Sequence, residues 1–268
     1  MLLIRSRRRI VTILAGICGL AVLATLSPTV PSATAQSLRD QIPIVAGTAL
    51  QLPGSRWCTA GAVLEARTWM SRATPVGRAT RYVVLARHCG GIGSAITVGG
   101  QVVGSVTWAS STYDLAIATI PASQIQRPVC SGASQLHHCT IPAATPRAVG
   151  RIVLHRGPLP AAVPVLGFGV PAAGEFFCTS GAVSFVLCGF ASVPIPPMWW
   201  PVGAVAAGTY DGLMPVPGDS GGPVVSYGGR LYGIIISGAI NEYRGTLAYL
   251  PLPLILQELG YIYGLAPA

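Results

Sequence analysis

Beyond Pro43 the chain is cut into short apolar runs by glycine and proline, and this punctuation favours strands over long helices. The 268 residues include 33 glycines and 23 prolines. Segments 61–64, 82–85, 95–98, 101–107 and 151–154 are rich in Val, Ile, Thr and Tyr. Such side chains suit a pleated surface, whereas proline breaks helices and glycine weakens them. Short runs with turn residues between them predict an all-β barrel or sandwich. Segment 182–187 reads as another strand, and 223–227 with 231–236 as a hairpin around Gly228-Gly229. From 252 to 263 the apolar residues take helical spacing around Gln257 and Glu258, which predicts a terminal helix.

The first 35 residues are of another kind. Arg5 and Arg7-Arg8-Arg9 precede a mostly apolar run over 10–26, and Ala33-Thr34-Ala35 places small residues before Gln36. This reads as a secretory signal peptide over 1–35. Ser6-Arg7-Arg8-Arg9-Ile10 loosely resembles a twin-arginine signal, but a Sec signal is the preferred reading. The apolar run is at the short end for a bilayer, so no transmembrane span is expected in the mature chain. Residues 36–43 then read as a short leader. All 17 basic residues are arginine, and loss of 1–35 lowers the formal charge from +9 to +5. No basic stripe interleaves with aromatics, so nucleic acid is not an expected partner.

Cys18 lies in the signal, leaving six cysteines, and an even number in an exported chain implies disulfides. His137 and His138 precede Cys139, with Cys130 upstream. A metal would use such donors, but no second ligand cluster is visible and export favours pairing the sulfurs, so no metal is expected. His155 reads as structural.

Chemistry concentrates in three segments. Gly218-Asp219-Ser220-Gly221-Gly222-Pro223 sets a serine on a tight glycine turn. Such a turn can expose a hydroxyl while backbone N–H groups converge on one spot, as a weak nucleophile with an oxyanion intermediate requires. Val84-Leu85-Ala86-Arg87-His88-Cys89-Gly90 ends an apolar run on a histidine, and Thr112-Tyr113-Asp114-Leu115 starts another on an aspartate. The order His, Asp, Ser resembles that of the chymotrypsin-like serine proteases, most closely the bacterial secreted branch of streptogrisin and α-lytic-protease-like enzymes. Arg87 departs from the small residue usual in that family just before its histidine.

The resemblance implies two six-stranded antiparallel β-barrels with the active site between them and a C-terminal helix. Residues 44–145 would form the first barrel, with His88 and Asp114, and 146–268 the second, with Ser220. The triad would be His88, Asp114 and Ser220, the oxyanion donors the N–H groups of Gly218 and Ser220, and no cofactor would be needed. Neighbours in sequence suggest the pairs Cys58–Cys89, Cys130–Cys139 and Cys178–Cys188. The first matches the family's bridge beside its histidine, and the third resembles one of the bacterial branch. Met214 matches the family's pocket floor, and Ser237-Gly238-Ala239 the strand that lines the pocket and pairs with substrate. Together they imply cleavage after uncharged, small or medium apolar residues of a protein or peptide. A catalytically impaired protease-like binding domain is the alternative. A serine esterase fits the Gly-x-Ser-x-Gly spacing but not the triad order.

Two features stand apart. In the bacterial branch the aspartate matching Asp219 is held by an arginine, but Thr179 occupies that arginine's place. The partners considered are a free amine at Ile44 after processing, or an arginine such as Arg147 or Arg151; a solvent-exposed Asp219 is a third reading. Between 157 and 210 the only charged residue is Glu175, and Trp199-Trp200 lies among prolines there. The preferred reading is a loop folded on the core; the sharper one is an apolar rim that contacts a substrate, partner or lipid surface.

Overall fold

The computed structural model describes residues 37–125, 128–131, 138–197, 199, 203–208, 212–238 and 244–268. The expected signal peptide, Gln36, His137, Trp200 and Ala239 lie outside them. The first strands are β1 (Ile44–Ala46), β2 (Ala49–Leu52), β3 (Arg56–Thr59) and β4 (Ala62–Ala66). Two short helices follow, α1 (Trp69–Arg72) and α2 (Pro75–Ala79), and then β5 (Arg81–Leu85), β6 (Ala95–Val98), β7 (Gln101–Ala109) and β8 (Ala116–Ile120). Among the described residues, β9 (Val129–Ser131) and β10 (His138–Thr140) pair only with each other. β11 (Ala148–Arg156) and β12 (Leu159–Pro164) form a hairpin. β13 (Phe177–Gly181), β14 (Phe185–Val193), β15 (Val205–Gly208), β16 (Pro223–Ser226), β17 (Leu231–Gly238) and β18 (Thr246–Pro251) precede α3 (Leu252–Glu258) and β19 (Tyr263–Leu265).

The second half closes a six-stranded barrel in the order β13-β14-β15-β18-β17-β16. Its interior holds Phe177, Phe190, Tyr232 and Tyr249, with ring pairs packed edge to face. The first half is a curled sheet of eight strands, β19-β4-β5-β8-β7-β6-β2-β3. A third cluster joins the two: Leu64, Val84, Leu115 and Ile117 share one core with Ile234, Leu250 and Ile255. Burying one such side chain is worth roughly 1.5–3 kcal/mol, so this shared cluster helps hold the two halves together.

The halves also exchange strands. β1 runs parallel to β11, and β19 returns from the end of the chain to pair with β4, Leu265 opposite Leu64. The expected boundary at 145/146 is therefore crossed by backbone pairing in both directions.

Two sequence expectations are corrected. The terminal helix stops at Glu258 rather than reaching 263, because Gly260 turns the chain at φ 62° and Tyr263–Leu265 becomes a strand. The apolar spacing there serves a helix face and a sheet edge in succession. The strand expected over 182–187 is interrupted: Ala182, Val183 and Ser184 form the turn between β13 and β14. Trp199 is only 7% exposed and belongs to the shared core. Its indole is spent on packing, in line at this residue with a loop folded on the core. No helix among the described residues is long and apolar enough to cross a membrane.

Candidate active site

β5 delivers its last residues to the seam and ends in a single tight turn, Arg87–Cys89. The turn is anchored behind His88 by the Cys58–Cys89 disulfide, both of whose residues are buried. Asp114 arrives on the loop between β7 and β8. That loop is shaped by Ser110, whose Oγ accepts the N–H groups of Thr112 and Tyr113 at 3.1 and 3.0 Å. The same hydroxyl donates to Glu258 Oε1 of α3 at 2.7 Å. Arg87 Nη1 donates to the Ser110 carbonyl at 2.7 Å, which ties the histidine turn directly to the aspartate loop.

Both Asp114 oxygens then engage His88. Oδ1 accepts the His88 backbone N–H at 2.9 Å, and Oδ2 lies 2.6 Å from Nδ1. Burial raises the Asp114 pKa, but the two His88 hydrogen bonds, with help from the His88 and Arg87 charges, outweigh it and hold the carboxyl below its ordinary value. Asp114 is thus an anion that fixes the ring in place and leaves Nε2 as the nitrogen without a partner among the described residues. His88 is 48% exposed, open on the side away from Asp114.

Ser220 sits on the turn that precedes β16. Gly218 takes φ 105° and Gly221 φ 83°, angles that a side chain would strain. The Asp219 N–H donates to Val216 O at 3.0 Å, and the Gly221 N–H to Ile235 O at 2.7 Å. The N–H groups of Gly218 and Ser220 have no partner among the described residues. Thr59, next to Cys58, clamps the turn from the other half. Its N–H donates to the Ser220 carbonyl and its hydroxyl to the Gly218 carbonyl, each at 2.8 Å, while Oγ1 accepts the Ala182 N–H at 2.9 Å.

His88, Gly218 and Ser220 line one cleft of about 470 Å³, with Arg56, Trp57, Cys58, Cys89 and Pro217 as the other walls. No hydrogen bond joins Ser220 Oγ to the His88 ring. A larger hollow of about 670 Å³ lies elsewhere, beside Asp40, Gln101 and Arg147, and contains none of these groups. Met214 and Gly238 meet as well: a Cβ at 238 would stand 2.9 Å from Met214 Cε. Ser237 neighbours this contact along β17, and Ala239 lies outside the described residues.

Asp219 is fully buried, not exposed. Its Oδ1 accepts the N–H groups of Val183 and Ser184, both at 2.9 Å, and Oδ2 accepts Val216 N–H at 2.8 Å and the Ser184 hydroxyl. The two arginines expected from sequence are engaged elsewhere, and in the unprocessed chain Ile44 carries a peptide N–H rather than a free amine. The Ile44 N–H donates to the Arg147 carbonyl at 2.8 Å. The Arg147 side chain reaches Val102 O at 3.4 Å, and Arg151 reaches Ala162 O at 3.2 Å.

The cysteines pair as Cys58–Cys89, Cys130–Cys139 and Cys178–Cys188. Ligand atoms of Cys58, His88 and Cys89 lie within 4.8 Å of one another, but both sulfurs are spent in a disulfide and offer no thiolate to a metal. The same holds for Cys130 and Cys139.

No protein-family model matches this chain. No curated protein matches it either. Solved structures do. Nocardiopsis protease superposes with a TM-score of 0.54 at 19% identity, covering 83% of this chain and 98% of its own. Cellulomonas bogoriensis chymotrypsin gives 0.53 at 21% identity, covering 84% and 99%. Thermobifida fusca protease A gives 0.54 at 19% identity, covering 84% and 99%. At these identities the likeness establishes the fold: the chain has the chymotrypsin-like architecture of these bacterial proteases.

Proposed function

We propose that the protein is a secreted serine endopeptidase in which His88, Asp114 and Ser220 act as the triad. The observation that carries this reading is the two-point hold of Asp114 on His88, in a cleft shared with Ser220 and two unpartnered N–H groups. Three disulfides and a signal-like first segment support export to an oxidising compartment.

With Nδ1–H donating to Asp114, His88 Nε2 takes the proton of Ser220 Oγ as that oxygen attacks a substrate carbonyl. The carbonyl oxygen becomes an oxyanion and accepts hydrogen bonds from Gly218 and Ser220 N–H. Collapse breaks the C–N bond, and the proton held on Nε2 passes to the departing amine. The acyl group now sits as an ester on Ser220. Water, deprotonated by His88, attacks that ester, releases the acid and restores the hydroxyl. Asp114 stays ionised throughout and stabilises the imidazolium formed in each half.

The resemblance puts Met214 at the pocket floor, and its contact with Gly238 supports a pocket that takes uncharged small or medium side chains. A methylene more or less in such a pocket is worth only about 1–3 kcal/mol, which makes the selectivity moderate.

The test is labelling by an organophosphonate serine probe, run beside casein digestion and hydrolysis of a simple ester. Wild type should be labelled and should cut casein, and Ser220→Ala should do neither. Labelling that persists in Ser220→Ala removes Ser220 from the role. A wild type that binds peptide without cutting it supports the impaired binding domain, and ester turnover without proteolysis supports the esterase.

A further inference from the structure

Arg39 belongs to the stretch that reads as leader, yet it is 4% exposed. Its Nη1 donates to the Gly47 carbonyl at 2.6 Å and its Nη2 to Ser180 Oγ at 3.0 Å. Its guanidinium carbon lies 5.6 Å from the centre of the Phe185 ring, within cation–π range. Its own carbonyl accepts the Ala49 N–H at 2.8 Å, so its backbone is built into the first sheet.

Ser180 and Phe185 bracket the turn 182–184, and that turn supplies two backbone N–H groups and a hydroxyl to Asp219. The carboxylate and the guanidinium therefore grip one hairpin from two sides. The fit is close at two glycines. A Cβ on Gly181 would lie 2.1 Å from Asp219 Oδ1, and one on Gly47 would lie 2.8 Å from Ser180 Oγ and 2.9 Å from Arg39 Nη1. Phe185 takes φ 59°, a conformation rare for an aromatic residue that persists only where its surroundings enforce it.

Charge points the same way. No basic side chain forms an ion pair with Asp219 among the described residues, so its burial rests on its four hydrogen bonds and on positive charge further off. Burial pulls the Arg39 pKa down to about 10, while Asp219 and Asp40 pull it up. The guanidinium stays charged at neutral pH and supplies positive potential to the carboxylate across the hairpin.

We propose that Arg39 is a positioning residue for the nucleophile turn: through the hairpin at 180–185 it holds Asp219, and with it the Gly218 and Ser220 N–H groups, without release of a new amino terminus at Ile44. This rests on the triad reading above. The cation is carried on the chain from the start, and cleavage before Ile44 would sever it from the body of the protein. The working amino terminus therefore lies upstream of Arg39.

The test uses the full secreted chain as wild type, Arg39→Ala, Arg39→Lys and Ser180→Ala. Deuterium uptake is read on peptides covering 180–185 and 213–222, with 81–85 as an internal control. Arg39→Ala should speed uptake in the first two by about tenfold or more and leave the control unchanged. Phosphonate labelling should slow by about 10–100-fold, approaching the loss of one oxyanion donor, with KM for a short peptide little changed. Arg39→Lys should recover part of the rate, and millimolar methylguanidinium should partly rescue Arg39→Ala. Should Arg39→Ala not fold, Ser180→Ala, which removes one guanidinium contact, is read the same way. Unchanged uptake in both peptides, or active protein whose first residue is Ile44, overturns the proposal. If wild type is never labelled, the protease reading fails, while the uptake comparison still decides whether Arg39 holds the turn.

Discussion

The Thr59 hydroxyl donates to the Gly218 carbonyl oxygen at 2.8 Å, across the seam between the two halves. The Gly218 carbonyl shares a peptide plane with the Asp219 N–H, which donates to Val216 O, so that plane is fixed at both ends. Fixing it sets the backbone angles of Gly218, whose own N–H has no partner among the described residues and is available to a substrate oxygen. Thr59→Val keeps the shape of the side chain and removes the donor. It should lower kcat by on the order of 10²–10³, the loss expected for one oxyanion donor, with little change in KM. The buried Gly218 carbonyl and Ala182 N–H would lose their partner, so unfolding in urea should show a loss of about 1–3 kcal/mol.

Ser110 should matter nearly as much, though it touches no substrate. It is buried, caps the loop that carries Asp114 and links that loop to Glu258. Ser110→Ala should cost about 1–3 kcal/mol in chemical unfolding and reduce kcat more than it raises KM. A double-mutant cycle with Glu258→Ala should show coupling, because both changes remove the same bond. Strict additivity would mean that the contact does not organise the loop.

The disulfides should differ in weight. Cys58 and Cys89 are 31 residues apart and Cys130 and Cys139 only 9. In the chain-entropy picture the first constrains the unfolded chain by about 4 kcal/mol and the second by about 2.5 kcal/mol. Only the first stands behind the histidine. Paired replacement by alanine should therefore cost stability in both cases, read by urea titration, but should cost activity only for Cys58 and Cys89. Equal activity losses would place the effect in folding alone.

Alkaline pH should loosen the closed barrel through Tyr249. Burial raises its pKa from 10.0 to about 12. The folded protein thus keeps this proton where the unfolded chain gives it up. The associated stability is complete below pH 10 and is lost as pH climbs through about 12. Tyr249→Phe should flatten that decline, measured as urea midpoints across pH 9–12. Tyrosinate absorbance should show one group fewer titrating late. An unchanged slope would assign the alkaline loss to other groups.

What could be read from the residues alone was local. The glycine turn around Ser220 and the histidine and aspartate at the edges of apolar runs are short patterns whose chemistry follows from residue type and order. Most strands declared themselves by β-branched runs and flanking turn residues. The contacts that hold the site left no such mark. Thr59 acts through backbone atoms more than 100 positions away, and nothing about a threonine after Cys58 announces it. The turn at 182–184 is written in Ala, Val and Ser without a glycine or proline at its centre, so it read as strand. Arg39 looked like a leader residue because sequence shows its neighbours in the chain and not the pocket it fills. Arg87 registered only as a departure from the family pattern, and its bond to the Ser110 carbonyl explains the departure.

The last ordered strand has a consequence for how the molecule comes into being. Tyr263–Leu265 completes the sheet begun some two hundred positions earlier, and Ala266 N–H and the Pro267 carbonyl tie the tail to Val63 and Gly150. An emerging polypeptide therefore cannot complete the sheet that leads into the His88 turn until residues 263–265 have been made and can reach back to β4.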